Sequence, residues 1–312
     1  MPAIAFVWQA LTSAWNKHLK EQADLMAFYD ALLPRRMKKD VTVVPVVRLQ
    51  GSIMSGGSQF RPHLNLASAA PLLEKAFANK RAPAVAISIN SPGGSPVQSR
   101  LIYKRIRDLA EEKNKHVHVF VEDVAASGGY MIALAGDEII ADPSSIVGSI
   151  GVVSASFGFP ELLKKIGVER RVYTAGENKV SLDPFQPEKE RDIEHLKALQ
   201  LDVHGTFIDM VKARRGSKLA DDKDLFTGLF WSGVKGLELG LVDQLGDLRS
   251  YLKTKYGAKT RLQLIAPPRG LLGRRVPGFG TAGGLAQNIA ASAADGLVDS
   301  IEDRAIWARY GL

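Results

Sequence analysis

At 312 residues, with 46% hydrophobic and 24% charged side chains, the chain has ordinary globular composition and room for one large domain or two modest ones. It contains no cysteine, which excludes disulfides, thiolate-bound zinc, iron–sulfur clusters and thiol catalysis; any metal would rest on six histidines and the carboxylates. The net charge of +8 favours acidic partners, but the basic residues fall in short clusters such as Arg35–Arg36 and Arg274–Arg275, and no nucleic-acid-binding module is recognisable.

Residues 3–33 carry a helical stripe, Ile4, Val7, Leu11 and Trp15, resumed by Leu25, Tyr29 and Leu32 and stopped by Pro34. With the basic cluster that follows, such a helix suits an anionic membrane surface, the subunit's own domain or another subunit. No apolar run approaches the roughly 18 to 20 residues that cross a bilayer. From residue 41 onward, β-branched runs alternate with helical patterns. The expected strands are 41–53, "AVAISIN", "HVHVFVED", "EIIADP", 151–158 and 170–176; the expected helices span 65–79, 96–112 and a stretch beginning near 127. This alternation predicts an α/β domain with right-handed crossovers.

A long amphipathic helix follows, with Ile193, Leu196, Val203, Phe207 and Met210 on one face and Gly216 as its stop. Residues 256–284 read as a linker, richest in Gly, Pro and Arg from 267. Residues 285–312 resume an amphipathic pattern through Leu285, Ile289, Leu297, Ile301 and Trp307.

Two strand ends draw attention. "AVAISIN" runs into "SPGG", where Gly93 and Gly94 can take positive φ and expose backbone amides to an anion or a developing oxyanion. "HVHVFVED" runs into "VAASGGYM", which places Ser127 at a strand-to-helix turn among small residues. Two readings stand there: a tightly packed helix N-cap, or a nucleophile whose hydroxyl is exposed at the turn. A nucleophilic serine needs a base. No histidine lies between His118 and His195, and His195 sits in a charged stretch of the long helix, so lysine is the alternative. Lys179, in a loop after "RRVY", suits an active-site position better than the lysines on polar helical faces. His116 and His118 share one strand face without an evident third ligand, so no metal or other cofactor is expected.

The ordered series "INSPGG", "AASGGYMIA", "DPSSIVGSIGV", "YTAGENKVSLDPF" and "FWSGVKGLELGLVDQLG" resembles the signal peptide peptidase A family of serine peptidases, above all its SohB-type members, over residues 41–255. The resemblance implies a Clp-protease and crotonase-like fold of repeated β-β-α units. It also implies a Ser-Lys dyad with Ser127 as nucleophile and Lys179 as general base. Ser149 would orient the lysine, and the amides of Gly94 and Gly128, with Gly93 adjacent, would form the oxyanion hole. Apolar peptides such as signal-peptide remnants would be the substrates. A homo-oligomeric ring would share its sites between protomers, so that Lys179 could serve a neighbour's Ser127. The location implied is cytoplasmic or peripheral on the inner membrane, with contact to a membrane surface but not to nucleic acid. The domains expected are an N-terminal helical segment 1–40, the peptidase 41–255, the linker 256–284 and a C-terminal helix 285–312. The alternatives are a crotonase-type acyl-CoA enzyme, which would need a carboxylate beside the two turns, and a catalytically silent scaffold.

Overall fold

The computed structural model describes residues 41–56, 63–266 and 304–312. The expected helix over 3–33, the Gly/Pro/Arg-rich stretch 267–284 and most of 285–312 lie outside these residues.

Three parallel strands form the centre of the sheet: β1 (Val43–Gln50), β2 (Ala84–Ser91) and β3 (His116–Ala126). β2 is buried at every position, its polar Ser88, Asn90 and Ser91 included, because both faces of the strand are covered. β3 is long enough to take two neighbours in succession. β4 (Glu138–Ala141) lies beside His118–Val121, and β5 (Ile146–Gly148) beside Val124–Ala126. β6 (Phe230–Ser232) pairs antiparallel with β5, β7 (Gln244–Leu245) parallel with β4, and β8 (Arg261–Leu264) parallel with β1. The sheet therefore forks at β3, and one branch gathers the C-terminal ends of β2, β3 and β5 at one place.

The helices are α1 (Leu66–Phe77), α2 (Pro96–Lys113), α3 (Gly128–Ala133), α4 (Pro160–Lys165), α5 (Glu190–Arg215), α6 (Gly233–Glu238) and α7 (Leu248–Tyr256). Strand alternation decides what each face meets. Val117, Val119, Val121 and Ala125 of β3 join the main core with Leu73 and Phe77 of α1, Ile102 and Ile106 of α2, and Tyr130 of α3. Phe120 faces the other way, into a smaller core with Val44, Val46, Ala86, Ile140 and Leu252 of α7. Local chemistry fixes where the helices begin. Asn65 and Ser68 form a reciprocal capping box at α1, and Ser95 caps α2 with Pro96 in its first turn.

The α/β reading stands, with two corrections to its strands. Residues 151–158 and 170–176, both expected as strands, run as irregular chain, and the strand in that region is β5, just upstream. A β-branched run becomes a strand only beside a partner. β5 is already flanked by β3 and β6, so the chain beyond it leaves the sheet. From Gly151 to Thr206 no residue is buried. The stretch read as linker also contains β8, because its alternating "RLQL" finds the free edge of β1. The long helix is α5, with Gly216 at its C-cap, and its packing is confined to its end, where Phe207, Val211 and Arg215 are buried.

Arg215 ties that end of α5 to the sheet. Its guanidinium is 3% exposed and makes a two-pronged pair with Asp243 at 2.8 and 3.1 Å, while its Nε donates to Gly240 O at 2.7 Å. Burial opposes ionisation of Asp243, but hydrogen bonds from Arg215 and Lys218 outweigh it and hold the carboxyl below its ordinary range. Arg215→Met should lower stability by about 3 kcal/mol, because the partly buried carboxylate of Asp243 loses its main partner. A drop in the urea midpoint at unchanged slope checks this.

Candidate active site

Ser127 is the residue at which β3 becomes α3. Its backbone lies at φ 52° and ψ −121°, a region that a non-glycine residue enters at a cost of about 1 to 3 kcal/mol. The helix-cap reading fails on geometry, since the Ser127 side chain makes no capping hydrogen bond. The positive φ turns the side chain out of both strand and helix and leaves it half-buried. The corner is held by its main chain, with the Ser127 amide donating to Gly148 O at 2.8 Å and the Met131 amide to Ser127 O at 3.0 Å.

The turn after β2 packs directly against this corner. A Cβ on Gly93, at φ 107°, would fall 2.8 Å from Ser127 Cβ and 3.0 Å from Gly128 N, so only glycine allows the two turns to touch. Gly94 forms a parallel bridge with Ile53. The hydrogen bonds of that bridge run from Ile53 N to Gly93 O and from Ser95 N to Ile53 O. The Gly94 amide is thus turned to the opposite side, toward Gly128: a Cβ on Gly128 would lie 3.4 Å from Gly94 N and 2.3 Å from Ser99 Oγ. The Gly128 amide opens α3, where no preceding carbonyl of the helix can receive it. Two backbone donors therefore converge beside one strained hydroxyl, an arrangement able to hold charge developing on a carbonyl oxygen.

Ser149 repeats the corner on the neighbouring strand. Ala126 and Gly148 are paired across β3 and β5, and the residue after each is a serine at positive φ, 52° and 53°. Ser149 is 4% exposed, and its amide donates to Leu229 O at 2.7 Å.

Lys179 is not brought to these serines. It is exposed, in a turn where its amide bonds Gly176 O at 3.3 Å, and no hydrogen bond joins its amine to Ser127 or Ser149. The group beside Ser149 is instead Tyr310, which the sequence reading passed over. Its hydroxyl lies 3.2 Å from Ser149 Oγ and donates to Pro92 O at 3.4 Å, and its ring meets Phe230 edge-on at 5.0 Å. Tyr310 stands three residues after Trp307, so continuing the amphipathic stripe by one helical step would have found it.

At the other end of β3, His116 and His118 do acquire a third neighbour. Ligand atoms of these two residues and of Glu138 lie within 4.8 Å of one another. The Glu138 carboxylate is already engaged, accepting from Lys255 Nζ at 2.7 and 2.8 Å and from the Tyr251 hydroxyl. Burial pushes this carboxyl up, yet those bonds and the ammonium charge hold it at about 2. His118 donates to or accepts from the Tyr256 hydroxyl at 2.7 Å, and burial, helped by His116 and Lys255, depresses it to about 4. The cation that this carboxylate needs is the Lys255 ammonium, and the cluster is a structural network remote from Ser127.

Comparison with known proteins places these features in a family. The model of peptidase family S49 matches residues 110–259. A protein of Synechocystis sp. named as a protease is 34% identical over 246 residues, covering 76% of this chain and 84% of that protein. A Buchnera aphidicola protein named protease SohB is 34% identical over 180 residues, 58% of this chain and 53% of its own length. A Brucella abortus protein named Na(+)/H(+) antiporter NhaA is 71% identical over 306 residues, 97% of this chain; the match spans only 41% of that longer protein. Among the described residues no helix is long and apolar enough to cross a membrane.

The His118 environment sets a pH dependence. Between 6.5, the ordinary histidine value, and about 4 the unfolded chain binds a proton there that the folded chain refuses. Stability should fall as pH drops through that window and the His118 contribution should level off below it. Urea midpoints should show a flatter decline over this window for His118→Gln than for the parent chain.

Proposed function

The chain belongs to peptidase family S49, and from that premise we propose that it is a serine peptidase with Ser127 as its nucleophile and Lys179 as its general base. The observation that carries the reading is the Ser127 corner: a strained, uncapped serine packed against Gly93, with the Gly94 and Gly128 amides facing it. The amine of Lys179 takes the proton as Ser127 Oγ attacks a peptide carbonyl. The two amides hold the resulting oxyanion, and Gly93 leaves room for the substrate to approach. Lys179 returns the proton to the leaving amine, and water activated by the same group hydrolyses the acyl-enzyme. Ser149 accepts a hydrogen bond from the lysine and keeps it aimed at Ser127.

For the exposed Lys179 the reading requires a second copy of the chain. The stretch that carries it, Gly151–Thr206, buries none of its residues and leaves Val153, Phe157, Ile166, Val168 and Tyr173 more than half exposed. So much apolar surface favours coverage by another subunit. In a ring of copies, each stretch lies on its neighbour and delivers Lys179 to the neighbour's Ser127. Small residues around the corner suit apolar peptides, with signal-peptide remnants at a membrane surface as the substrate class.

Ser127→Ala and Lys179→Ala should each lower peptide turnover at least about a thousandfold while leaving the melting temperature within a few degrees. Full activity in either variant refutes the dyad. Mixing the two inactive variants should restore part of the activity, since some interfaces then pair an intact serine with an intact lysine. A mixture that assembles but stays inactive shows that the lysine acts within its own chain.

A further inference from the structure

The start of β3, at the far end from Ser127, holds donors that the Lys255 ammonium does not satisfy. Strand alternation puts His116 and His118 on one face with ring centroids 4.5 Å apart, and the register of β3 with β4 sets His118 directly beside Glu138. His118 Nδ1 lies 3.0 Å and His116 Nε2 3.8 Å from the same oxygen, Glu138 Oε2. Neither approach forms a hydrogen bond. Both nitrogens are shut off from water, and they are two of only three such side-chain atoms without a hydrogen-bond partner among the described residues. The hydrogen bonds of Lys255 Nζ go to Glu138 and Tyr251, and to neither ring. Two buried imidazole nitrogens thus converge on one carboxylate oxygen with nothing between them, a costly arrangement unless a ligand joins them.

We propose that His116 Nε2, His118 Nδ1 and Glu138 Oε2 bind a divalent transition metal, zinc by preference, with a water molecule as the fourth ligand. A tetrahedral zinc with bonds of about 2.1 Å sets its ligand atoms about 3.4 Å apart. The separations of 3.0 and 3.8 Å straddle that value, so small side-chain rotations complete the site. The second nitrogen of each ring already faces a partner of the kind that orients metal-bound histidines. His118 Nε2 lies 2.7 Å from the Tyr256 hydroxyl, and a proton donated there leaves the lone pair on Nδ1. His116 Nδ1 lies 3.6 Å from Asp137 Oδ2. His116 and Glu138 are partly exposed, which gives the metal an entry path and the water its place. Two imidazoles and one carboxylate suit zinc, whereas magnesium and calcium favour sites built from oxygen alone. Lys255 competes with the metal: it must leave Oε2, at 2.7 Å, although it can keep Oε1, at 2.8 Å. Once bound, the metal fastens β3 to β4 and, through Tyr256, holds the end of α7 just before the chain enters β8.

The test uses the full chain without an affinity tag, stripped of metal by a chelator and dialysed at neutral pH. Equilibrium dialysis with zinc should show one saturable equivalent per chain, and zinc should raise the melting temperature. Cobalt(II) should give the visible absorption bands of a tetrahedral site, bleached by zinc and untouched by excess magnesium or calcium. His116→Gln, at a partly exposed position, should weaken zinc binding at least about a hundredfold, and Tyr256→Phe, which removes only an orienting partner, about tenfold. Lys255→Met should tighten it at least about threefold, because a competing charge on the same carboxylate is gone. No saturable equivalent in the parent chain, or a folded His116→Gln that binds zinc as the parent does, overturns the site. A folded Lys255→Met that binds no more tightly than the parent also overturns it, since the geometry requires the ammonium to give way.

Discussion

The pairing of Ala126 with Gly148 is the constraint from which the site follows. Parallel pairing brings the ends of β3 and β5 level, so that the next residue of each, Ser127 and Ser149, leaves the sheet at the same height and with nearly the same positive φ. The amide of Ser127 is fastened to the carbonyl of Gly148, and this bond, rather than any side chain, sets the angle at which the hydroxyl emerges. β2 brings Gly93 and Gly94 to the same level from the other side, with a break in register between Ile89 and Ser91 that lets the turn swing toward Ser127. Rigid strands thus aim the site, and the short helices only receive it.

Much of this was legible in the chain. The β-branched runs of β2 and β3, alternating with helical patterns, announced an α/β sheet, and the glycines at their ends announced turns of unusual geometry. What misled was β-propensity beyond the sheet's border. Val152–Val153 and Val172–Tyr173 read as strand because their side chains suit a pleated surface, but a strand is a property of two segments, and no second segment is offered there. The error is informative, since the stretch that failed to join the sheet is the one that carries Lys179 and exposes the most apolar side chains.

The candidate site was legible to the extent that it is local. Ser127, Gly93, Gly94 and Gly128 declare themselves through small residues packed tightly at two consecutive strand ends. Membership of family S49 sets aside the acyl-CoA reading that those turns alone left open. Tyr310 was illegible for a physical reason: it reaches Ser149 across 161 positions, and no local pattern encodes a contact of that span. The same holds for Glu138, which becomes the neighbour of His118 only through the register of β3 and β4.

The backbone at residue 127 favours glycine, and the proposed chemistry there demands a hydroxyl. These two demands conflict, and the serine stands because the surrounding sheet is stable enough to carry it. Any variation that replaces Ser127 by glycine relaxes the corner, so the chain gains robustness in the same step in which it loses the proposed nucleophile. Descendants freed from the need to cut peptides would drift readily in that direction and keep the architecture while shedding the reaction.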